Sequence, residues 1–366
     1  MIRRQNRFHG CILGAAAGDA LGYCVDDMSL SQIRDSCGPE GIRGYDAING
    51  YATFSSHTQL MMFTANGLLF GATRGATRGV MAPYVAYLEA AYREWLRTQQ
   101  GRRVPGRQTH CWLSGVDEMY FRRSAEPATV LALERPTPGT MHDPVNRSRG
   151  PGGLTRCAPV GLFLSPQRME RSEIGLLGAE SAALTHGDPL GFLPAAYLVE
   201  IINRIVYDPV KSFREILRET RASMRGQFGS QFRQLCALEE CLSQAEAMAA
   251  EDTPPTLCLE RLMPVEAPEV LAAACYVCLK YPGDFDRAIL ASVNHSGRSA
   301  AVGCVAGAIL GAILGTDGIQ EYYFESLEQR GILEELAADL YTGCPLTRGD
   351  PLFDDEWYRK YVQCTY

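Results

Sequence analysis

Phe8-His9-Gly10-Cys11-Ile12-Leu13-Gly14-Ala15-Ala16-Ala17-Gly18-Asp19-Ala20-Leu21-Gly22 places a glycine at every fourth position. A second stripe with the same step, Gly303, Gly307, Gly311 and Gly315, runs through an apolar stretch near the other end of the chain. Residues four apart share one face of an α-helix, and each interior glycine costs a helix about 1 kcal/mol relative to alanine. Four on one face therefore argue for a packing reason, namely two helices whose backbones approach closely. The stripes are expected to pack on each other. The two ends of the chain then meet at the centre of the fold, and residues just outside those helices share one site.

Between the stripes, apolar positions recur at helical spacing in Pro194 to Tyr207, Phe213 to Met224, Gln234 to Ala249 and Ala267 to Leu279. Alternating strand patterns are absent, so an all-α fold is predicted. Proline and glycine cluster at Arg135 to Gly153 and around Asp252 to Pro255, which marks loops. The first loop is long enough to lie over a site. Neither reads as a flexible linker, so residues 1–366 are expected to form a single compact domain.

Composition narrows the function. With 46% hydrophobic and 21% charged residues, the chain has the means to bury a large core. A net charge of -7 argues against nucleic-acid binding, which draws on a basic face to displace counterions. The apolar run Ala300 to Leu314 spans fifteen residues, short of the ~20 that cross a bilayer, so it reads as a buried helix and no membrane partner is expected. Met1-Ile2-Arg3-Arg4 before an apolar stretch has the order of a signal peptide, but Gly18-Asp19 interrupts it early. The thirteen cysteines are scattered through a chain too long to need stapling. They read as reduced thiols, and the expected location is cytoplasmic.

Further segments fall into a pattern with the first stripe. These are Ser55-Ser56-His57-Thr58-Gln59 before a helix from Leu60 to Phe70; Gly150-Pro151-Gly152-Gly153-Leu154-Thr155-Arg156-Cys157-Ala158-Pro159; Thr185-His186-Gly187-Asp188-Pro189; and Val293-Asn294-His295-Ser296-Gly297-Arg298-Ser299-Ala300-Ala301. In order and spacing, from about residue 8 to 316, the chain resembles the ADP-ribosylglycohydrolase family. There the opening helix ends in Gly-Asp-Ala-Leu-Gly, the second segment reads Ser/Thr-Asp-Asp-Thr-Gln, and the last reads Asn-x-x-Gly-Asp-Ser-Asp-Thr. The resemblance implies an all-α fold and, in active members, two Mg²⁺ ions held by hydroxyl and aspartate oxygens. It also implies a carboxylate near Asp26 that cleaves the bond between ADP-ribose and its acceptor.

At the metal positions this sequence departs from the family. Ser56 and His57 stand where the first motif has its aspartates, and Arg298, Ala300 and Ala301 stand in the second; Ser55 alone keeps a ligand oxygen. Mg²⁺ seeks hard, largely anionic oxygen ligands, so no Mg²⁺ pair, and no cofactor, is expected. A guanidinium stays charged and is disfavoured at a helix start, so Arg298 is expected to answer an acidic pocket made by Asp19, Asp26 and Asp27, or else to grip a phosphate. His57 and His295 raise the rival of a different metal, though hydrogen-bonded histidines are the simpler reading. His186 and Asp188 read as loop and cap residues.

The glycine-rich loop needs no metal to be useful. Its amides at Gly152 and Gly153, with Arg156, are expected to cradle phosphate oxygens, while Ser55, Ser56, His57, Arg298 and Ser299 line the cleft. Trp112, Tyr45 and Tyr51 are candidates to stack on adenine or, more simply, to pack in the core or at its rim. Three readings follow. The first is a catalytically degenerate relative that binds ADP-ribose or a related nucleotide without Mg²⁺. The second is a hydrolase working through Asp19, Asp26 or Asp27 as acid or base, against which a nearby Arg298 is expected to lower the carboxylates. The third is a protein-binding scaffold with a closed cleft and an unknown partner.

Overall fold

The computed structural model describes residues 2–45, 50–103, 109–346 and 354–366. We number its longer helices in chain order: α1 (Ile2–Tyr23), α2 (Ser56–Arg78), α3 (Tyr84–Gln99), α4 (Arg171–Ala183), α5 (Pro189–Tyr207), α6 (Phe213–Phe228), α7 (Leu235–Ala249), α8 (Ala267–Lys280), α9 (Phe285–Val293), α10 (Ser299–Leu314) and α11 (Arg330–Thr342). Among the described residues the only β-type pairing is one isolated bridge, Ala52 to Leu327. The predicted helices are all present. Tertiary burial lengthens several, so that α2 runs well past Phe70 and α5 begins at Asp188-Pro189, where Asp188 caps the first turn by accepting from the Leu190 amide at 2.9 Å.

α1 and α10 form the antiparallel seam that the glycines require. A Cβ on Gly14 would lie 2.5 Å from Gly307 O, and one on Gly18 would lie 2.1 Å from Gly303 O. Gly10 meets Gly311 and Gly22 meets Ser299 in the same way. Alanine at any of these places forces the backbones apart. The seam lies within the core, where Ala15, Ala16, Ala301, Val305 and Ala308 are buried beside it. Apolar helices surround it. α5 is long and apolar enough by composition to cross a membrane, yet 94% of its most apolar 18-residue stretch is buried inside the fold, which marks it as a core helix.

The thirteen cysteines are free thiols, most of them buried. The expectation of scattered cysteines with no Cys-x-x-Cys pair is corrected on α8, where Cys275 and Cys278 have that spacing. Both are fully enclosed, and burial pushes their thiols up, away from the reactive thiolate.

Candidate functional site

The seam sets α1's C-terminal end, and the loop after it, between the starts of α2 and α10. Asp19, fully buried on α1, faces the first turn of α2. Its carboxylate accepts from Ser55 N at 3.1 Å, Ser55 Oγ at 2.7 Å, Thr58 N at 3.0 Å and Thr58 Oγ1 at 2.6 Å. Burial pushes this carboxyl up, against the pull of His57 and of those hydrogen bonds. Three of these donors fall on Oδ2 and one on Oδ1, and the side chain has no exposed surface through which a substrate could reach it. The expectation that it is a candidate acid or base is corrected: Asp19 is the latch that fixes α2 to α1. Ser55 is consumed by the same latch, its Oγ also accepting from His57 N at 3.1 Å, and the Ser56 amide is taken by Arg123 O.

Asp26 and Asp27 lie at the start of α10. The Ala300 amide donates to Asp26 Oδ1 at 3.1 Å. Burial raises the Asp26 carboxyl to about 6, although His57, the Ala300 amide and Arg298 all draw it down. For Asp26 that outcome corrects the expectation that Arg298 would leave the carboxyl lowered, because desolvation outweighs the guanidinium. Asp27 sits in the left-handed region at φ 61° and donates its N–H to Gly297 O. Its carboxylate receives Arg298 Nη1 at 3.0 Å, on the rim of the cleft.

His57 is only 7% exposed; it shares a 2.9 Å hydrogen bond through Nδ1 with Thr155 Oγ1 and lies close enough to draw down Asp19, Asp26 and a fourth carboxylate, Glu126. Glu126 escaped the sequence reading. It precedes Pro127 at the start of a short helix, and Glu-Pro is a weak signal of a helix start and none of a site. Its Oε2 meets His186 Nε2 at 2.8 Å, and its Oε1 accepts from the Gly152 amide at 3.2 Å. Burial pushes the carboxyl up, but His186 first, then His57 and Arg298, outweigh it and hold it down at about 2.

Glu126 also settles the glycine-rich loop. The anion at Gly152 is the protein's own carboxylate, and a Cβ on either Gly150 or Gly152 would strike it. Gly153 packs on Ala182 and His186. Arg156 is fully buried, donating to Ser181 O at 2.7 Å and Thr185 Oγ1 at 2.8 Å, with its guanidinium 4.1 Å from the Tyr92 ring centroid. The expected phosphate cradle of Gly152, Gly153 and Arg156 is therefore corrected: the loop seats Glu126, and Arg156 ties it to the core. Ser299 is enclosed too, its hydroxyl directed to His295 O at 3.4 Å.

The two histidines of the rival metal reading do not converge. His295 lies between two main-chain carbonyls, Ser292 O and Ser296 O, while His57 holds Thr155. Among the described residues no three His, Cys, Asp or Glu side chains come together as a metal-binding group. For the Mg²⁺ pair that the resemblance implies, the motif positions supply neutral hydroxyls at Ser55, already bonded, and Ser56, with an imidazole and a guanidinium. That donor set does not fit the ions. Trp112 is buried against Tyr366, and Tyr45 donates to Ala17 O inside the core; Tyr51 is the exposed one of the three.

This all-α fold is that of a known class of proteins. The profile of the ADP-ribosylglycohydrolase family matches residues 1–349, so the chain belongs to that family. A solved structure described as an ADP-ribosylglycohydrolase-related protein complex superposes with a TM-score of 0.61 at 22% identity, covering 93% of this chain and 99% of that one. An uncharacterized protein of Archaeoglobus fulgidus is 25% identical over 352 residues, 92% of this chain and 96% of its own length.

Proposed function

We propose that this family member binds ADP-ribose or a related nucleotide in the cleft between α2 and α10 without divalent metal, and that its catalysis by the metal route is lost. The observation that carries this reading is the guanidinium that stands at a motif position, with an imidazole at the other. Arg298 sits 3.0 Å from Asp27 and acts on Asp26 and Glu126, while His57 acts on the same two carboxylates. A fixed guanidinium offers a phosphate the charge that a metal would otherwise bring. Calorimetric titration with ADP-ribose, once in EDTA and once in excess Mg²⁺, tests it. Micromolar binding of equal strength in both buffers is expected, weakened about tenfold, or ~1.4 kcal/mol, by Arg298→Ala. Binding that needs Mg²⁺, or no binding in either buffer, overturns the reading.

A second reading is favoured by Asp26 alone. A carboxyl raised to about 6 is poised for general acid catalysis near neutrality, so metal-free cleavage of an ADP-ribosyl bond is its corollary. Release of ADP-ribose from an ADP-ribosylated peptide in EDTA, lost in Asp26→Asn, supports it. No release over many hours leaves binding as the function.

A further inference from the structure

Away from the cleft, a groove of about 430 Å³ opens between the first turns of α3, residues 138–142 of the long loop, the end of α4 and the C-terminal turn of α6. Val85, Leu176, Leu184 and Phe228 make its walls largely apolar, and its size is that of a small-molecule site. One of its charged groups lacks a partner. Glu180 makes no side-chain hydrogen bond or ion pair among the described residues, whereas the other carboxylate of the groove, Glu89, is held by Arg93 Nε at 2.8 Å.

Glu180 is half-buried against the apolar walls and has no donor among the described residues. Burial alone acts on its carboxyl and pushes it up, as for a charge with no counterpart. A ligand complementary to this groove has an apolar body to cover its walls and a cationic hydrogen-bond donor to meet Glu180. We infer that the groove between α3, α4 and α6 is a second binding site, for a small apolar molecule that ends in an ammonium group, with Glu180 as counter-ion. This site does not depend on the function assigned to the cleft.

n-Hexylammonium and 2-phenylethylammonium, with n-hexanol as the uncharged counterpart, are suitable probes for calorimetry on the full chain. Saturable binding of the ammonium ions is expected, at least tenfold tighter than hexanol. Glu180→Gln should remove that preference while its unfolding curve overlays that of the wild type. Leu184→Ala, which shortens the apolar wall, should weaken ammonium ions and hexanol alike. The same titration with Arg298→Ala should be unchanged, which separates this site from the cleft. Equal affinity for hexylammonium and hexanol, an unaltered preference in Glu180→Gln, or a groove protected only by self-association in sedimentation would overturn the inference.

Discussion

The starts of α2 and α10 are built alike and finished differently. Each receives an aspartate from the end of α1 or the loop after it, on the side where a helix presents free N–H groups and positive potential. At α2 the union is closed: Asp19 is fully buried and takes four hydrogen bonds from Ser55 and Thr58. At α10 it is open, for Asp26 takes one from Ala300 and keeps a raised carboxyl, and Asp27 pairs with Arg298 at the rim. A carboxylate at a helix start is a structural part when its acceptors are filled and chemical equipment when they are not. Seven positions in sequence separate these two outcomes.

Stability should divide the two ends most sharply. Asp19→Ala leaves buried donors on Ser55 and Thr58 without an acceptor and frees α2 from α1, for a loss of ~3 kcal/mol or more in urea unfolding at pH 7. Asp26→Ala removes one acceptor at a partly wet site and relieves a desolvated charge, so no loss is expected at that pH. Equal losses would erase the distinction between a closed and an open helix start.

A smaller effect separates the carboxylates of the cleft by sign. Asp26 is raised from 3.8 to about 6, so the folded chain keeps a proton that the unfolded chain has shed. The stability this contributes is full below pH ~3.8 and is lost as pH rises through ~6. Glu126 is lowered from 4.5 to about 2; its contribution is present above pH ~4.5 and is lost as pH falls toward ~2. Asp26→Asn should therefore gain on the wild type by about 1–3 kcal/mol between pH 4 and pH 8. Glu126→Gln should be the weaker protein at pH 7 and converge on the wild type in acid. Unfolding free energies at pH 3, 5 and 8 that changed in parallel for both variants would show that the cleft's charges are not arranged as described.

Sequence spacing exposed the seam because the cause is local and steric: a glycine every fourth residue has few uses in a helix, and Gly14 and Gly307 meet where the stripes predict. It also marked Arg298 and His57, since a basic side-chain type in an acidic motif is visible by substitution alone. Direction was hidden. Nothing in Gly150 to Arg156 tells whether its amides face solvent or Glu126, or that Arg156 turns inward to Tyr92, where Nη2 finds two acceptors while Nε and Nη1 stay unbonded. Desolvation was hidden as well. The sequence places Arg298 beside Asp26 but not the burial that overrides it.

Asp27→Gly is the most delicate test of the open end. Asp27 already lies at φ 61°, where glycine is at ease, so the gain in backbone comfort offsets the extra entropy lost on folding. The Arg298 pair it removes is exposed, worth no more than ~1 kcal/mol. Stability should stay within about 1 kcal/mol of the wild type. Binding should not stay put, because Arg298 loses its competing carboxylate. ADP-ribose affinity is expected to rise about threefold at low salt, a gain of ~0.6 kcal/mol, and the rise should vanish at 0.5 M NaCl, where exposed charges are screened. Adding Arg298→Ala should cancel it at any salt. If Asp27→Gly instead weakened binding, Asp27 would be gripping the ligand and Arg298 would be its support, and the open helix start would owe its chemistry to the carboxylate on the rim.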